Sequence, residues 1–561
     1  MKKVILSLNI FILLIAGFLH PISAITQDLG RHLLTGQIIL QTHSVPKVNL
    51  FSYTYPDFPF INHHWFSEVI FYLTNQLVGF NGLLVLTILT VTAAFAFVFF
   101  FSLKKGNIFA ITIISILYLR VLFERTDVRP EIFSFLFLSL FLVILYRYRE
   151  QYTRLIFVLP FLELVWVNTH IYFPIGIAVI GLFLIERITM HRKNIFSKYT
   201  SILVFVFALS SAITLLNPNG FQGALYPLQV FKNYGYTIEE NQTVFFLWNY
   251  FGGKTSILYF FISVAALFLT LLLTFKKTRH IDWLLALFFT ALATNAERNF
   301  PLFVFGTFVP FANALSTIAA KARPWPRSDL LKNGVALFLI VLILWQITQV
   351  ASLRPLGFGI ESGAKAGVDF FLQSNLKGPI FNNFDIGSYL EYRLYPKEKV
   401  FIDGRPEAYP SSFIQNAYIP MQIDKSIFEE MAKKYHLNTI FFSYTDQTPW
   451  AITFLKQIVQ DKTWTMAYLD DYVVIFVKNN NKNLDTKTYF ATNQNNLQSL
   501  LRLAYFFNTV GWQNQEVSTY QQILTLNPNY CPALYNLSLI LNQKNDPIAA
   551  VYAQRFQQAC K

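Results

Sequence analysis

Eleven apolar runs dominate this chain and restrict what it can become. They fall at Val4–Leu19, 79–103, 107–123, 131–146, 155–169, 171–188, 199–216, 256–275, 281–295, 300–318 and 333–351. Roughly 16–25 residues is the length an α-helix needs to cross a bilayer, and the runs meet or approach it. Lipid offers no partner to an open N–H or C=O, so such runs fold as helices. Charged residues make up only 14% of the chain, against about 25% in a soluble domain. The net charge of +14 would suit a nucleic-acid partner. Its placement argues against one, because Lys and Arg sit in alternate loops between the runs. One set of loops carries eighteen of them and the opposite set seven. Basic loops stay in the cytoplasm. The N-terminus is therefore expected inside and everything after Ala351 outside. Runs 131–146 and 155–169 are short, and losing both together would leave this orientation unchanged. Ile22-Ser23-Ala24 resembles a signal-peptidase site; the alternative is a retained first span. Residue 26 onward lies outside in either case.

The expected fold class is a polytopic all-α membrane domain of about eleven transmembrane helices over residues 1–351. A small exoplasmic α/β domain over 352–480 and an α-helical repeat region over 490–561 follow it. In 352–480 short apolar stretches alternate with Gly- and Pro-punctuated ones. Strands are predicted at Pro379–Asn382, Lys399–Asp403, Asn438–Ser443, Thr465–Leu469 and Tyr472–Lys478. Helices are predicted near Gly363–Ser374, Gly387–Tyr395, Ile427–Tyr435 and Pro449–Gln460, and a linker at Asn479–Asn483. In Leu497–Lys561, Gly511, Tyr520 and Pro528 stand where a tetratricopeptide repeat has its turn glycine, packing aromatic and closing proline. A 34-residue period carries Leu497 onto Cys531. Two such repeats are too few to stand alone, so docking on the α/β domain or on a partner is expected. Cys531 and Cys560, the only cysteines, would meet at one end of a helical hairpin as a disulfide.

The groups that could carry chemistry lie on the outer side. The first outer loop, 26–78, holds Asp28, Arg31, His32, His63, His64 and Glu68. A carboxylate at Asp28 could serve as general base toward an acceptor hydroxyl, or hold a cation against a phosphate. It could equally cap the helix Leu29–Ile39. His64 and Glu68 are four apart, on one face of a helix entering the membrane; they could bind a ligand, or Trp65 and Phe66 could simply anchor the interface. Glu124 to Glu131 packs three acids and two bases into eight residues. Arg125 and Arg129 could grip a phosphate bidentately, and Glu124 and Asp127 could join Asp28 on a metal. A self-neutralising hairpin is the plainer alternative. Asn168 and His170 end another span. Loop 217–255 contains Thr237-Ile238-Glu239-Glu240. Glu297-Arg298-Asn299 tops a further span, with an internal ion pair as its plain reading. In the α/β domain Asp385, Asp403 and Arg405 follow strand ends, where ligand groups gather but where turns also need Asp and Gly. A transporter would put its ionisable groups at mid-membrane. Within the runs only Arg120 and Glu163 stand out, so the site is expected at the outer interface.

On these residues the chain resembles the GT-C class of membrane glycosyltransferases, which use polyprenyl-phosphate-linked sugars. The bacterial GT-C-like proteins carry in their first outer loop an Asp, a His, a Gly, an Asn-x-Phe-Ser-Tyr-Thr and a His-Trp-x-x-Glu. Here these are Asp28, His32, Gly36, Asn49–Thr54 and His64–Glu68. Arg129-Pro130, Asn168 with His170, Asn217-Pro218 with Gly220, Arg298-Asn299, Asp385 with Gly387, and Asp403-Gly404-Arg405 match as well. The resemblance covers residues 1 to about 480. It implies that Asp28 is the catalytic or metal-holding carboxylate; many members have a second acid two residues earlier, where this chain has Thr26. There is also a likeness to oligosaccharyltransferases. It lies in Glu124 and Asp127, in Thr237–Glu240, and in Phe384-Asp385-Ile386-Gly387, which lacks the tryptophans and tyrosine of their Trp-Trp-Asp-Tyr-Gly.

The expected function is transfer of a sugar from a polyprenyl-phosphate-linked donor to an exported acceptor, at the outer face of a bacterial cytoplasmic membrane. Asp28 is the expected catalytic group, and Arg125, Arg129 and Arg298 hold the donor phosphate. His32, His64, Glu68, Asn168, His170, Glu240, Asp385, Asp403 and Arg405 contact substrate. A divalent cation (Mg or Mn) on Asp28, Glu124 and Asp127 is the expected cofactor. An exported protein or glycan would be a partner of the repeats. Two alternatives stay open: a lipid-linked polysaccharide ligase or polymerase relying on Arg and His, and a non-enzymatic scaffold acting through the repeats.

Overall fold

A computed structural model describes residues 1–23, 28–104, 106–190, 197–229, 234–321, 329–361, 363–479, 489–490 and 496–560. Ala24 of the cleavage motif, Thr26 and Gln27, the basic residues Lys105, Arg192, Lys193, Lys232, Arg323 and Arg327, and linker residues 480–483 lie outside the described residues.

Every apolar run is a helix. In chain order these are Lys2–Phe18, Trp65–Leu103, Ile108–Leu122, Glu131–Glu150, Leu159–Thr169, Pro174–Met190, Lys198–Ile213, Thr255–Leu273, His280–Asn295, Phe300–Lys321 and Asp329–Leu353. Among the described residues, five are long and apolar enough to cross a membrane: Trp65–Leu103, Glu131–Glu150, Thr255–Leu273, Glu297–Ala320 and Asp329–Leu353. The inner faces of the long and the shorter helices together bury one continuous core that includes Leu6, Phe95, Tyr118, Phe135, Trp166 and Phe303. The outer faces are apolar too. On Asp329–Leu353, Leu337, Phe338, Val341 and Leu344 form an exposed stripe at helical spacing, which suits hydrocarbon and would be unfavourable against water. The helix Trp65–Leu103 breaks at Gly79 (φ 70°, ψ −167°), a conformation open to glycine alone. The break falls where the outer loop was expected to meet the span, but residues 65–78 are already helical. Inside the bundle, Arg120 lies over the Tyr259 ring at 5.1 Å. Glu163 is fully buried and neither carboxylate oxygen has a hydrogen-bond partner among the described residues.

The α/β domain is built on five strands: β1 (Ile380–Asn382), β2 (Thr439–Ser443), β3 (Trp464–Leu469), β4 (Val473–Lys478) and β5 (Tyr489–Phe490). Their order is β1-β2-β4-β3-β5; β1/β2 and β3/β5 are parallel, β2/β4 and β4/β3 antiparallel. Helices Lys365–Gln373, Gly387–Leu394, Lys425–Lys434 and Pro449–Ile458 fall where they were expected. The expected strand Lys399–Asp403 does not join the sheet. Its backbone pairs with the first outer loop instead: Tyr53 N–H donates to Val400 O (3.2 Å) and Val400 N–H to Phe51 O (3.1 Å). Asn382 Oδ1 takes the Phe401 N–H at 2.9 Å, the place a neighbouring strand would fill. β5 was not foreseen; it pairs with β3 and forms the edge of the sheet opposite β1.

That pairing ties the loop to the domain. Ser52 and Thr54 hydroxyls both donate to Phe401 O (3.1 and 2.8 Å), and Tyr53 OH donates to Ile380 O (2.9 Å). Asn49 Nδ2 donates to Ala408 O (3.2 Å). The Asn49–Thr54 motif is thus a strap between the helical part and the α/β domain. The C-terminal residues form two helical hairpins, Leu497–Val510 with Gln513–Leu526 and Cys531–Gln543 with Ala549–Ala559. Gly511 ends the first helix in the left-handed region (φ 76°). Phe506 packs on Tyr444 of the α/β domain at 4.9 Å, so the hairpins dock there. Cys531 and Cys560 are disulfide-bonded.

Candidate active site

A cavity of about 520 Å³ lies where one end of the helical bundle, the segment before Trp65, the turn Glu239–Asn241 and the α/β domain meet. Its wall includes Asp28, His64, Arg125, Arg129, Glu240, Arg298, Asp385 and Arg405, together with Glu124 and Asp127. The fold therefore gathers on one surface groups from seven separate stretches of sequence.

Three guanidinium groups meet on one side. Arg125 forms a fork with Glu131 (Nε–Oε1 2.9 Å, Nη2–Oε2 3.0 Å) and also donates from Nη1 to Glu240. Arg129 Nη1 reaches the two Glu240 oxygens at 3.3 and 3.4 Å. Arg298 Nη1 stands 3.9 Å from Glu240 and donates to Asn241 Oδ1 at 2.9 Å, while its Nε donates to Tyr172 OH at 3.1 Å. Burial alone would raise the Glu240 carboxyl, but Arg125, Arg129 and Arg298 together hold it below the usual carboxylate range. The self-neutralising hairpin is true of Arg125 and Glu131 only. Glu297 and Arg298 do not pair with each other: Glu297 accepts from Lys254 at 2.9 Å.

Asp28 lines the same cavity. It occupies the N-cap position of the helix Leu29–Thr42, but its side chain makes no capping hydrogen bond. The carboxylate is a third exposed, with Arg31 at 3.8 Å and the Ser388 hydroxyl donating at 3.5 Å. Asp403-Gly404-Arg405 passes directly behind it. A Cβ at residue 404 would stand 2.8 Å from Asp28 Oδ1, so glycine there lets the carboxylate approach. Asp385 shares this side, and burial with the nearby Asp446 and Asp28 pushes its carboxyl up to about 7.

Five expected contact residues lie behind the wall and not on it: His32, Glu68, Asn168, His170 and Asp403. Glu68, fully buried, accepts from His32 Nδ1 (2.9 Å), Arg31 Nη1 (3.4 Å) and Asn62 Nδ2 (2.6 Å). Asn168 accepts from Trp65 Nε1 at 2.8 Å and donates to Leu164 O and Leu216 O. His170 bonds Ser134 Oγ at 2.9 Å and stacks on His64 with ring centres 5.1 Å apart. Asp403 binds Arg405 through both oxygens (2.8 and 2.7 Å). These groups orient the wall. Burial, with the Arg31 and Arg298 charges, brings His63 down to about 3, and burial with neighbouring histidines lowers His64 well below its ordinary value. Both imidazoles are neutral at physiological pH. Arg31, which had no assigned contact, also lines the cavity; its place three residues after Asp28 was the available signal.

The residues present do not fit the expected cation. Glu124 is engaged by Lys254 at 2.7 Å, Asp127 by Arg354 at 3.5 Å and Asp28 by Arg31. Among the described residues no group of three or more His, Cys, Asp or Glu is placed to hold a metal ion.

No protein-family model and no curated protein matches the chain. Solved structures do. The Archaeoglobus fulgidus oligosaccharyltransferase AglB, in complex with an inhibitory peptide and a dolichol-phosphate, aligns with a TM-score of 0.59 at 12% identity, over 93% of this chain and 86% of that one. The apo form of an oligosaccharyltransferase from the same organism aligns at 0.58 and 12%, over 81% and 71%. A form tethered to an acceptor peptide gives 0.54 and 11%, over 83% and 72%. The chain shares its fold with these archaeal oligosaccharyltransferases.

Proposed function

We propose that the protein is a membrane glycosyltransferase that takes a sugar from a polyprenyl-phosphate-linked donor and passes it to an exported acceptor at the outer leaflet of a bacterial cytoplasmic membrane. The observation that carries this is that one cavity is lined both by the part-exposed carboxylate of Asp28 and by three arginines that converge on Glu240. The Asp28 carboxylate takes the proton of an acceptor hydroxyl as its oxygen bonds to the anomeric carbon. The bond from that carbon to the phosphate oxygen breaks, and the phosphate keeps the electron pair. Arg125, Arg129 and Arg298 stabilise the charge that develops on the leaving phosphate, which is where fixed donors act most strongly. His64, Asp385 and Arg405 line the acceptor side. His32, Glu68, Asn168, His170 and Asp403 position them.

The membrane reading takes the eleven helices as spans, with residues 352–561 exoplasmic. A disulfide between Cys531 and Cys560 suits that oxidising side. The two hairpins act as tetratricopeptide-like repeats toward an exported protein or glycan. The test is mass spectrometry of lipid-linked saccharides in a deletion strain with and without the wild-type gene. Accumulation of a polyprenyl-phosphate sugar on the outer leaflet, cleared by the gene, is expected and names the sugar. An unchanged lipid pool would refute the transferase and favour a scaffold.

A further inference from the structure

The arginine seat is filled by a group that fits it poorly. Glu240 offers two oxygens to three guanidinium groups, and only the Arg125 contact is close. Arg129 stands at 3.3 Å or more and Arg298 at 3.9 Å. Arg129 Nε is buried without a hydrogen-bond partner among the described residues. Donor capacity in the seat therefore exceeds what one planar carboxylate can accept. A phosphate has a third oxygen and a tetrahedral outline, and guanidinium groups bind it bidentately.

The charge balance points the same way. Arg125 keeps its fork to Glu131 whatever Glu240 does. Lys254 has Glu124 and Glu297, and Arg354 has Asp127. An arriving anion finds no free cation in these neighbouring pairs. Among the described residues, only Glu240 lies within ion-pair distance of all three arginines, so it is the carboxylate whose departure opens the seat. Glu240 sits on a short turn, Glu239–Asn241. The chain before it is anchored separately, with Tyr236 stacked on Phe384 of the α/β domain at 4.1 Å. The turn's ties to the arginines, through Glu240 and through Asn241 Oδ1, which accepts from Arg298 at 2.9 Å, are separate from that anchor.

We infer that Glu240 is a surrogate ligand: its carboxylate occupies the phosphate seat of the empty enzyme, and the phosphate of a prenyl-phosphate donor displaces it. This rests on the donor-phosphate reading of Arg125, Arg129 and Arg298. It adds that donor binding is an exchange of anions and that the 239–241 turn is released when the donor arrives. Specificity follows, because a ligand must bring enough charge to replace a carboxylate before it gains the seat.

The test uses the full-length protein in detergent, with farnesyl phosphate and inorganic phosphate as probes. Glu240→Gln keeps the shape and removes the charge. It is expected to bind farnesyl phosphate at least tenfold more tightly than wild type, whereas Arg298→Gln binds it at least tenfold more weakly. In the wild-type protein farnesyl phosphate should speed amide exchange across residues 236–243; this arm needs no variant to fold. If Glu240→Gln binds no more tightly and exchange slows, while Arg298→Gln still loses affinity, the surrogate role is overturned and the phosphate seat stands. If Arg298→Gln binds as wild type does, the donor-phosphate reading itself fails. If Glu240→Gln gains affinity for inorganic phosphate alone, the seat serves free phosphate and the prenyl-phosphate assignment is wrong.

Discussion

Removing the charge of Asp403 should loosen the strap between the first outer loop and the α/β domain. Arg405 is the centre of that contact. Its Nε and Nη2 bind Asp403, and Nη2 also donates to Asn49 Oδ1 at 2.9 Å. Its guanidinium lies over the rings of Phe60 (4.8 Å) and Phe51 (5.3 Å). Asp403 is wholly buried and Arg405 nearly so. Breaking a buried pair by neutralising one partner costs about 3–5 kcal/mol, because the other charge is left uncompensated. Asp403→Asn retains one acceptor oxygen, so the lower end, about 3 kcal/mol, applies. At about 1.4 kcal/mol per tenfold, opening of the strap becomes about 100-fold more frequent. Hydrogen exchange reports such local opening directly. The amides to watch are Tyr53 and Val400, which pair across the contact, and both should exchange about 100-fold faster in Asp403→Asn by this estimate. Amides of the remote helix Cys531–Gln543 should not change. Arg405→Lys keeps the charge but not the fork, and should fall between wild type and Asp403→Asn. Acceleration below about threefold in Asp403→Asn would refute the claim that this buried pair holds the strap.

Two further outcomes follow from the same structure. The Asp385 carboxyl sits at about 7 in the folded protein, above its ordinary value near 4. The folded state thus holds the extra proton, and this contribution to stability is complete below about pH 4 and lost as pH rises through about 7. Asp385→Asn should flatten that part of the pH profile of thermal unfolding; an unchanged profile would reject the assignment. The Cys531–Cys560 bond closes a loop with a sequence separation of 29, which on chain-entropy grounds stabilises the hairpin by about 3–4 kcal/mol. Non-reducing mass spectrometry should find the bond, and reduction should selectively raise protease sensitivity within 531–560. Free thiols in the exported protein would contradict it.

Much of this was legible in the sequence because it depends on local pattern. The apolar runs mark the helices, since length and hydropathy decide what sits in lipid. Gly511 and the 34-residue period mark the last hairpins for the same reason. Long-range pairing was not legible. Lys399–Asp403 has the composition of a strand, and it is extended, but its partner is a loop some 350 residues earlier. Glu240 was identified as a contact group, yet nothing local shows that it draws together Arg125, Arg129 and Arg298. Glu68 and Asp403 carry the residue type of a ligand; burial and a neighbouring arginine turn each into a brace. Gly404 reads as a turn residue until Asp28 is seen against it.

The deciding experiment compares the lipid-linked saccharides of a deletion strain carrying wild type, Asp28→Asn or empty vector, with membrane insertion of the variant verified. A properly inserted Asp28→Asn that accumulates the same outer-leaflet donor as the empty vector is the expected result and places catalysis at Asp28. An Asp28→Asn strain indistinguishable from wild type, while the empty vector accumulates donor, would contradict it. Chemistry would then pass to the arginines and histidines, as in a polysaccharide ligase.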